Sequence, residues 1–534
     1  MAKCCQLKIG SSLWPGVVVS SLLITIAIVT FSTLWLYSPK IGWQEFINDR
    51  YLWHIISFTF WQALLSTLLS VIPAIFLSKS LFRRNFPGRI LLLRLCSIIV
   101  VLPVFVIILG ILTVYGRMGW ISQFCQFLKI NYQFSPYGLK GILLTHIFFN
   151  LPLATRILLL AFENIAVEQR QLSAQLGMNQ WQHFRIVEWP HIKRQILPIS
   201  VIIFMLCFSS FSTILILGGG PTATTIELAI YQSLSYDLNL NKAAFLALIQ
   251  LFFCLTLVLL SQKLNITFSS GASRQFQWEN PDDNRWIKLW DILLISITIL
   301  FLIPPLLAVI IDGLNLNTLH VLRRTALWQT FINSIFIAIS SGILCIVITM
   351  MLLWSSRELR LRRSILLHRT LEISGLLIFA IPGIVLATSF FLLFKNTVIV
   401  TCLSYSLVIL TNALMTIPYS LKILENPMYD LTERYNLLCL SLQIKGLNQL
   451  VLIEFKALKH IIGHAFAFSC LFSIGDFSII SLFGNENFRT LSYYLYQQLG
   501  SYRNDDAKVT ALLMLLLCFS LFSLLEYLLG KKND

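Results

Sequence analysis

Apolar and polar positions along this chain fall into long blocks, not into a short alternation. Twelve apolar runs stand out, at residues 13–36, 55–78, 95–116, 141–160, 196–217, 243–262, 289–311, 331–354, 373–394, 398–421, 461–483 and 509–529. Each is close to the roughly 20 residues a helix needs to cross a bilayer. Lipid offers no partner to backbone N–H and C=O groups, so runs of this length predict helices that satisfy themselves. A membrane β-barrel would show segments of about ten residues with alternating polarity, and the sequence has no such pattern. The first run is too long for a signal-peptide core and lacks a small-residue cleavage site, so it is expected to be retained.

The pattern repeats. Segments beginning Asn150-Leu151-Pro152 and Thr416-Ile417-Pro418 align at a constant offset, pairing Pro152 with Pro418, Arg156 with Lys422, Leu176 with Leu442, Glu188 with Glu454, Phe211 with Phe477 and Gly218 with Gly484. Upstream, Trp61-Gln62 recurs as Trp328-Gln329, and downstream Tyr231-Gln232 recurs as Tyr496-Gln497. Each half holds six runs, an even number, so both insert the same way round and are related by an axis along the membrane normal. The expected organisation is a first half over 1–265, a polar linker over 266–288 and a second half over 289–534. The fold class is thus an all-α polytopic membrane protein, about twelve transmembrane helices in two parallel six-helix halves.

Composition agrees with this pattern. Of 534 residues, 57% are apolar and 12% charged, where a soluble protein carries about a quarter charged. An ordinary soluble enzyme is excluded. The formal charge is +16, but its distribution points to topology, not to nucleic acid. With the N-terminus inside, 27 of the 40 Lys and Arg residues lie in cytoplasmic segments and 12 outside. That is the positive-inside bias, and it places both termini in the cytoplasm. Eleven cysteines, an odd count and mostly within apolar runs, argue against a disulfide framework.

Two cytoplasmic connections are long, 161–195 and 422–460, at equivalent places in the two halves. Both have helical periodicity, through Leu172, Leu176, Phe184 and Val187 in one and Leu438, Leu442, Leu447 and Leu450 in the other. An amphipathic helix there would offer an apolar face to a partner. Gln171-Leu172-Ser173-Ala174-Gln175-Leu176-Gly177, followed by Val187-Glu188-Trp189-Pro190, resembles the signature loop of ABC-importer permeases. That loop runs Glu-Ala-Ala, three residues, Gly, then Ile-x-Leu-Pro after a fixed gap. Gly177 and Pro190 keep the spacing; Gln171 stands in place of the Glu. In the second copy Leu437, Gln443 and Lys456 replace the Glu, Gly and Pro, while Glu454 remains.

The resemblance extends along the chain. Tyr51-Leu52-Trp53-His54, Ser70-Val71-Ile72-Pro73, Gly219-Gly220-Pro221, Trp354-Ser355-Ser356-Arg357-Glu358-Leu359 and Tyr496-Gln497-Gln498-Leu499-Gly500 are similar to the bacterial thiamine and thiamine pyrophosphate permeases. This likeness implies a type I importer fold in the bacterial inner membrane and transport of thiamine and its phosphates. It further implies two partners besides the lipid bilayer: a cytoplasmic ABC ATPase dimer, which would use ATP and Mg, and a periplasmic thiamine-binding protein. Coupling to the ATPase is implied for about 171–184, with Gln171, Leu172, Ala174, Leu176, Gly177, Trp181 and Phe184 and the following Glu188 and Pro190. In the second copy it is implied for about 437–450, with Leu437, Leu442, Gln443, Leu447 and Leu450 and the following Glu454. A ferric-iron or other small-solute permease of the same class is the nearest alternative. An ion-coupled carrier would place more charge within its helices.

No phosphate-cradling G-x-x-x-x-G-K-[ST] loop occurs, so energy has to come from another polypeptide, and no cofactor is expected in this chain. No nucleophile–base pair or metal-ligand spacing stands out; His183 and His191 flank Glu188 without the His-Glu-x-x-His spacing. No catalytic residue, metal site or nucleic-acid partner is therefore expected, and the chain reads as a transport subunit. Asp476, in Ser473-Ile474-Gly475-Asp476-Phe477, is open to two roles: a carboxylate on the path of a cationic substrate, or a hydrogen-bonding group at a broken helix end. Asp476, Phe477, Pro103 and Pro382 are the candidate path or gate residues, the two prolines interrupting matching third runs.

Overall fold

The computed structural model describes residues 10–38, 49–130, 134–263, 284–361, 364–394, 399–444, 446–485 and 488–529. Among them, eleven helices are long and apolar enough to cross a membrane. A bent pair, Thr370–Ala380 and Gly383–Phe394 at 85°, makes a twelfth when taken as one span. The longer helices are α1 (Gly10–Tyr37), α2 (Arg50–Arg83), α3 (Arg89–Ile99), α4 (Val104–Tyr115), α5 (Trp120–Phe127), α6 (Leu139–Glu163), α7 (Val167–Gln175), α8 (Trp189–Phe208) and α9 (Ile226–Ser235). They continue as α10 (Leu240–Lys263), α11 (Arg285–Gly313), α12 (Thr325–Leu361), α13 (Ile365–Leu377), α14 (Gly383–Phe394), α15 (Ile399–Ser441), α16 (Phe455–Gly475), α17 (Leu491–Gly500) and α18 (Asn504–Leu529).

Every apolar run contains helix, but four are broken. The third run of each half is interrupted at its proline: Pro103 caps α4, and Pro382 immediately precedes α14. Proline has no N–H to give and disfavours helical backbone in the residue before it, so the helix stops there. The runs at 196–217 and 461–483 were expected as single helices. Instead α8 ends at Phe208 before a short helix Ser212–Leu217, and α16 ends at Gly475 before a short helix Ile480–Phe483. Hydropathy alone does not register a break when both sides of it are apolar. Of the expected linker, 266–283 lie outside the described residues, and Arg285–Lys288 form the first turn of α11.

Contacts group the chain into two compact units, and neither is a contiguous half. One comprises residues 47–228 with 256–314. In it α2 packs on α6 and α8, while α11, the first span of the second half, lies against α4 and α2. Polar side chains cross the helix faces: Gln62 Nε2 donates to the Cys207 carbonyl at 2.8 Å, Ser66 Oγ meets His146 Nδ1 at 2.9 Å, and Asn150 reaches Cys207 Sγ at 3.1 Å. Buried in lipid-spanning helices, such groups need partners from neighbouring helices.

The other unit takes residues up to 46, 229–255 and everything from 315. Here α12 packs on α15 and α16, and α1, the first span of the first half, lies against α12, α13 and α14. The Gly16 amide donates to Ser355 Oγ at 2.8 Å, and Thr33 and Ser389 hydroxyls meet at 2.6 Å. Asn412 donates to Ser473 Oγ at 2.8 Å, and Thr416 meets Ser469 at 2.9 Å. Gly342 permits the close approach of α12 and α16: a Cβ there would lie 2.8 Å from Cys470 Sγ. Small residues at such crossings are how membrane helices pack tightly.

Candidate coupling loops and broken spans

The first long connection is two segments where a single amphipathic helix over 171–184 was expected. After α6 the chain turns at Asn164–Ala166 and enters α7, whose last turn closes on Leu176. Gly177 then adopts φ +62°, and the Met178 amide bonds the Ser173 carbonyl at 3.1 Å. That left-handed exit is the usual role of glycine past a helix C-terminus. Asn179 restarts the helix with Gln182 in a reciprocal capping box. A wide π turn, Phe184–Glu188, joins this helical turn to α8, with Pro190 in the first turn of α8.

These turns sort the side chains. Leu172, Leu176 and Trp181 are 56, 63 and 67% exposed, with Gln171 and Gly177 also at the surface. Ala174 and Phe184 are half-buried, so Phe184 does not share the Leu172–Leu176 face. Arg170, Ser173, His183 and Glu188 are buried. Ser173 Oγ lies 2.7 Å from His183 Nδ1, His183 Nε2 is 3.6 Å from Glu188, and the Glu188 carboxylate pairs with Lys79 of α2 at 2.7 Å. The Lys79 ammonium also sits 4.2 Å from the Phe184 ring centroid. Arg170 donates to the Phe162 carbonyl and lies 4.2 Å over the Phe82 ring. Burial lowers the Arg170 pKa, opposed by nearby Glu188 and Glu163. His191 turns away to Gln169 at 3.2 Å, so the two histidines brace the loop from different sides.

The second long connection has no break before it, because α15 runs on to Ser441. Leu437, Leu438, Leu440 and Leu442 are exposed along its end. Gln443 then takes φ +54°, and the Ile444 amide bonds the Cys439 carbonyl at 2.9 Å. Gln443 occupies the position of Gly177 in both sequence and backbone conformation. Leu447 opens a helical turn, Leu447–Gln449, and its side chain lies outside those described. Half-buried Leu450 starts a second π turn, Leu450–Glu454, and buried Glu454 pairs with Arg357 of α12.

Three charged groups gain their partners only in the structure: Lys79, Arg357 and Asp291. Lys79 and Arg357 are one repeat apart when Ser78-Lys79-Ser80-Leu81 is laid on Ser356-Arg357-Glu358-Leu359, a register that differs from the Trp61/Trp328 register. Asp291 stands in the first turns of the seventh run. Its fully buried carboxylate accepts from Ser80 at 2.7 Å, Arg83 at 2.9 Å and Arg84 at 2.8 Å. An acidic residue two positions inside an apolar run was the available signal.

At the break after α16, Asp476 has extended backbone, and its carboxylate accepts the Ile479 amide at 3.2 Å. Ser492 Oγ donates to the Asp476 carbonyl at 3.0 Å. The carboxylate thus serves an amide exposed by the break. Phe477 is buried against Tyr496, ring centroids 4.9 Å apart, and stacks on Tyr493 at 6.2 Å. In each unit the short helix beyond the break packs on the half-span that follows the proline: Ser212–Leu217 on α4, and Ile480–Phe483 on α14. Among the described residues no cluster of His, Cys, Asp and Glu is arranged to hold a metal.

Long apolar helices, several of them broken within the apolar run, define a multi-pass membrane protein. The chain belongs to the family of binding-protein-dependent transport system inner membrane components, whose model matches residues 66–265. It is 56% identical to the thiamine transport system permease protein ThiP of Escherichia coli (strain K12), over 97% of both chains. The protein of the same name in Haemophilus influenzae is 39% identical, over 96% of this chain and 95% of its own. The Brucella abortus (strain 2308) protein is 35% identical over 91% and 89%. As a permease subunit of an ABC system, the chain is a transporter component and not an enzyme, and its class works with an ATPase and a binding protein.

Proposed function

We propose that this chain is the two-half membrane subunit of an ATP-driven importer carrying thiamine and its phosphates across the bacterial inner membrane. The observation that carries this reading is 56% identity, sustained over 97% of the chain, to a thiamine transport system permease. A cytoplasmic ATPase dimer would dock on the two loops, through Leu172, Leu176 and Trp181 in the first and Leu437, Leu438 and Leu442 in the second. A periplasmic thiamine-binding protein would deliver substrate to the opposite face, and the basic bias of the connections supports cytoplasmic termini. The halves 1–265 and 289–534 act as the two repeats. The breaks at Pro103, Pro382 and Asp476–Phe477 border the path, since irregular backbone at membrane depth is tolerated where it is enclosed by protein or lines a cavity.

The test is uptake by the complete complex, permease with ATPase subunit and binding protein, in proteoliposomes. Labelled thiamine should accumulate only with ATP, and ferric iron should not. Accumulation of thiamine by the purified chain without nucleotide, or of iron in its place, overturns the assignment.

A further inference from the structure

Each loop is fastened to the second span of its half by the same device. In one unit, Lys79 near the end of α2 pairs with Glu188 at 2.7 Å; in the other, Arg357 near the end of α12 pairs with Glu454. Both glutamates are the last residue of a π turn, Phe184–Glu188 and Leu450–Glu454, where the loop becomes the next span. Both pairs are removed from water, with side-chain exposures of 19 and 6% in the first and 2 and 2% in the second. The loops otherwise diverge: the first has a separate helix and a glycine exit, the second a continuous helix and a glutamine exit. What both retain, besides the left-handed exit and the π turn, is the pair. In the first loop it extends by contact through His183 to Ser173 on α7, the helix that carries Leu172 and is capped by Leu176.

We propose that Lys79–Glu188 and Arg357–Glu454 are positioning residues that transmit displacement of each coupling loop to the second span of its half. This rests on the coupling role proposed for the loops. A buried pair resists separation because parting its members leaves each charge unpaired in a low dielectric. A loop held in this way moves with its span, whereas an apolar contact at the same place would allow sliding.

The test uses the whole complex in proteoliposomes and reads thiamine imported per ATP hydrolysed, with retention of the ATPase subunit. Glu188→Gln and Glu454→Gln should each lower that ratio by about tenfold while the ATPase subunit stays bound and active. Lys79→Glu combined with Glu188→Lys should return it to within about threefold of the unmodified complex. Lys79→Met combined with Glu188→Gln leaves no lone charge; it should fold and assemble yet stay uncoupled, which a merely structural pair does not predict. If the swapped pair fails to fold, this neutral pair decides. An unchanged ratio in both glutamine variants, full coupling in the neutral pair, a folded swap no better than its parents, or loss of the ATPase subunit from the glutamine variants overturns the proposal. Leu176→Asp with Leu442→Asp, run in parallel, tests the docking role itself. If that variant keeps its ATPase subunit and transport, the coupling reading fails; if it loses both while the glutamine variants transport normally, only the transmission role fails.

Discussion

The two long connections stand at equivalent places in the sequence and form the same turn and the same anchor with different residues. Loop one stops a helix at Glu163, starts α7 afresh and leaves it through Gly177. Loop two extends α15 without a stop and leaves it through Gln443 at nearly the same φ. A non-glycine residue in that conformation costs about 1–2 kcal/mol, so loop two keeps the turn against a local preference. Retained in both are the six-residue closing bond, the π turn and the buried glutamate with its cation. The residues differ while the left-handed exit and the buried anchor are the same.

Changing Leu176 and Leu442 together to Asp removes one apolar contact from each loop, and a buried leucine contributes roughly 1.5–3 kcal/mol. ATPase binding should fall at least about a hundredfold, read by co-purification and by titration of the ATPase subunit onto the permease. Taken singly, Leu176→Asp should weaken binding by about tenfold or more. Leu442→Asp should cost less, because Leu437, Leu438 and Leu440 are exposed beside it; equal losses would mean that loop two docks through Leu442 alone. A subtler pair exchanges the exits. Gly177→Gln should destabilise the solubilised chain by about 1–2 kcal/mol, and Gln443→Gly should stabilise it by at most about 1 kcal/mol, both followed by thermal unfolding. Opposite signs at equivalent sites are the diagnostic result.

The smallest expected change is at Asp476. Asn keeps an acceptor for the Ile479 amide, so Asp476→Asn should alter thiamine uptake by no more than about twofold and stability by less than about 1 kcal/mol. A tenfold loss of uptake with unchanged stability would place the carboxylate's charge on the substrate path. At the matching position in the first half stands Ser210. This asymmetry makes the experiment informative about the two breaks as well.

Much of the architecture was legible in the residues. The apolar runs follow from local requirements: apolar side chains must meet lipid, and each backbone must bond within its own segment. The prolines at 103 and 382 announced their breaks for the same local reason. The breaks after Phe208 and Gly475 did not show, because the residues on both sides of each are apolar. Leu172 and Leu176 read correctly as one face, whereas Phe184 was grouped with them by a periodicity that Gly177 interrupts.

The sequence alone determined where long apolar helices form and which two connections between them are long. Only tertiary structure decided which helices share a unit. Hydropathy gives no hint that α1 lies against α12 or α11 against α2, nor that Asp291 is held by Ser80, 211 residues away. Lys79, Glu188, Arg357 and Glu454 were each visible as charges, but their pairing was not. Insertion into lipid depends on each segment's own surface, whereas partners among inserted helices are selected by small-residue packing and by charges that must find one another away from water.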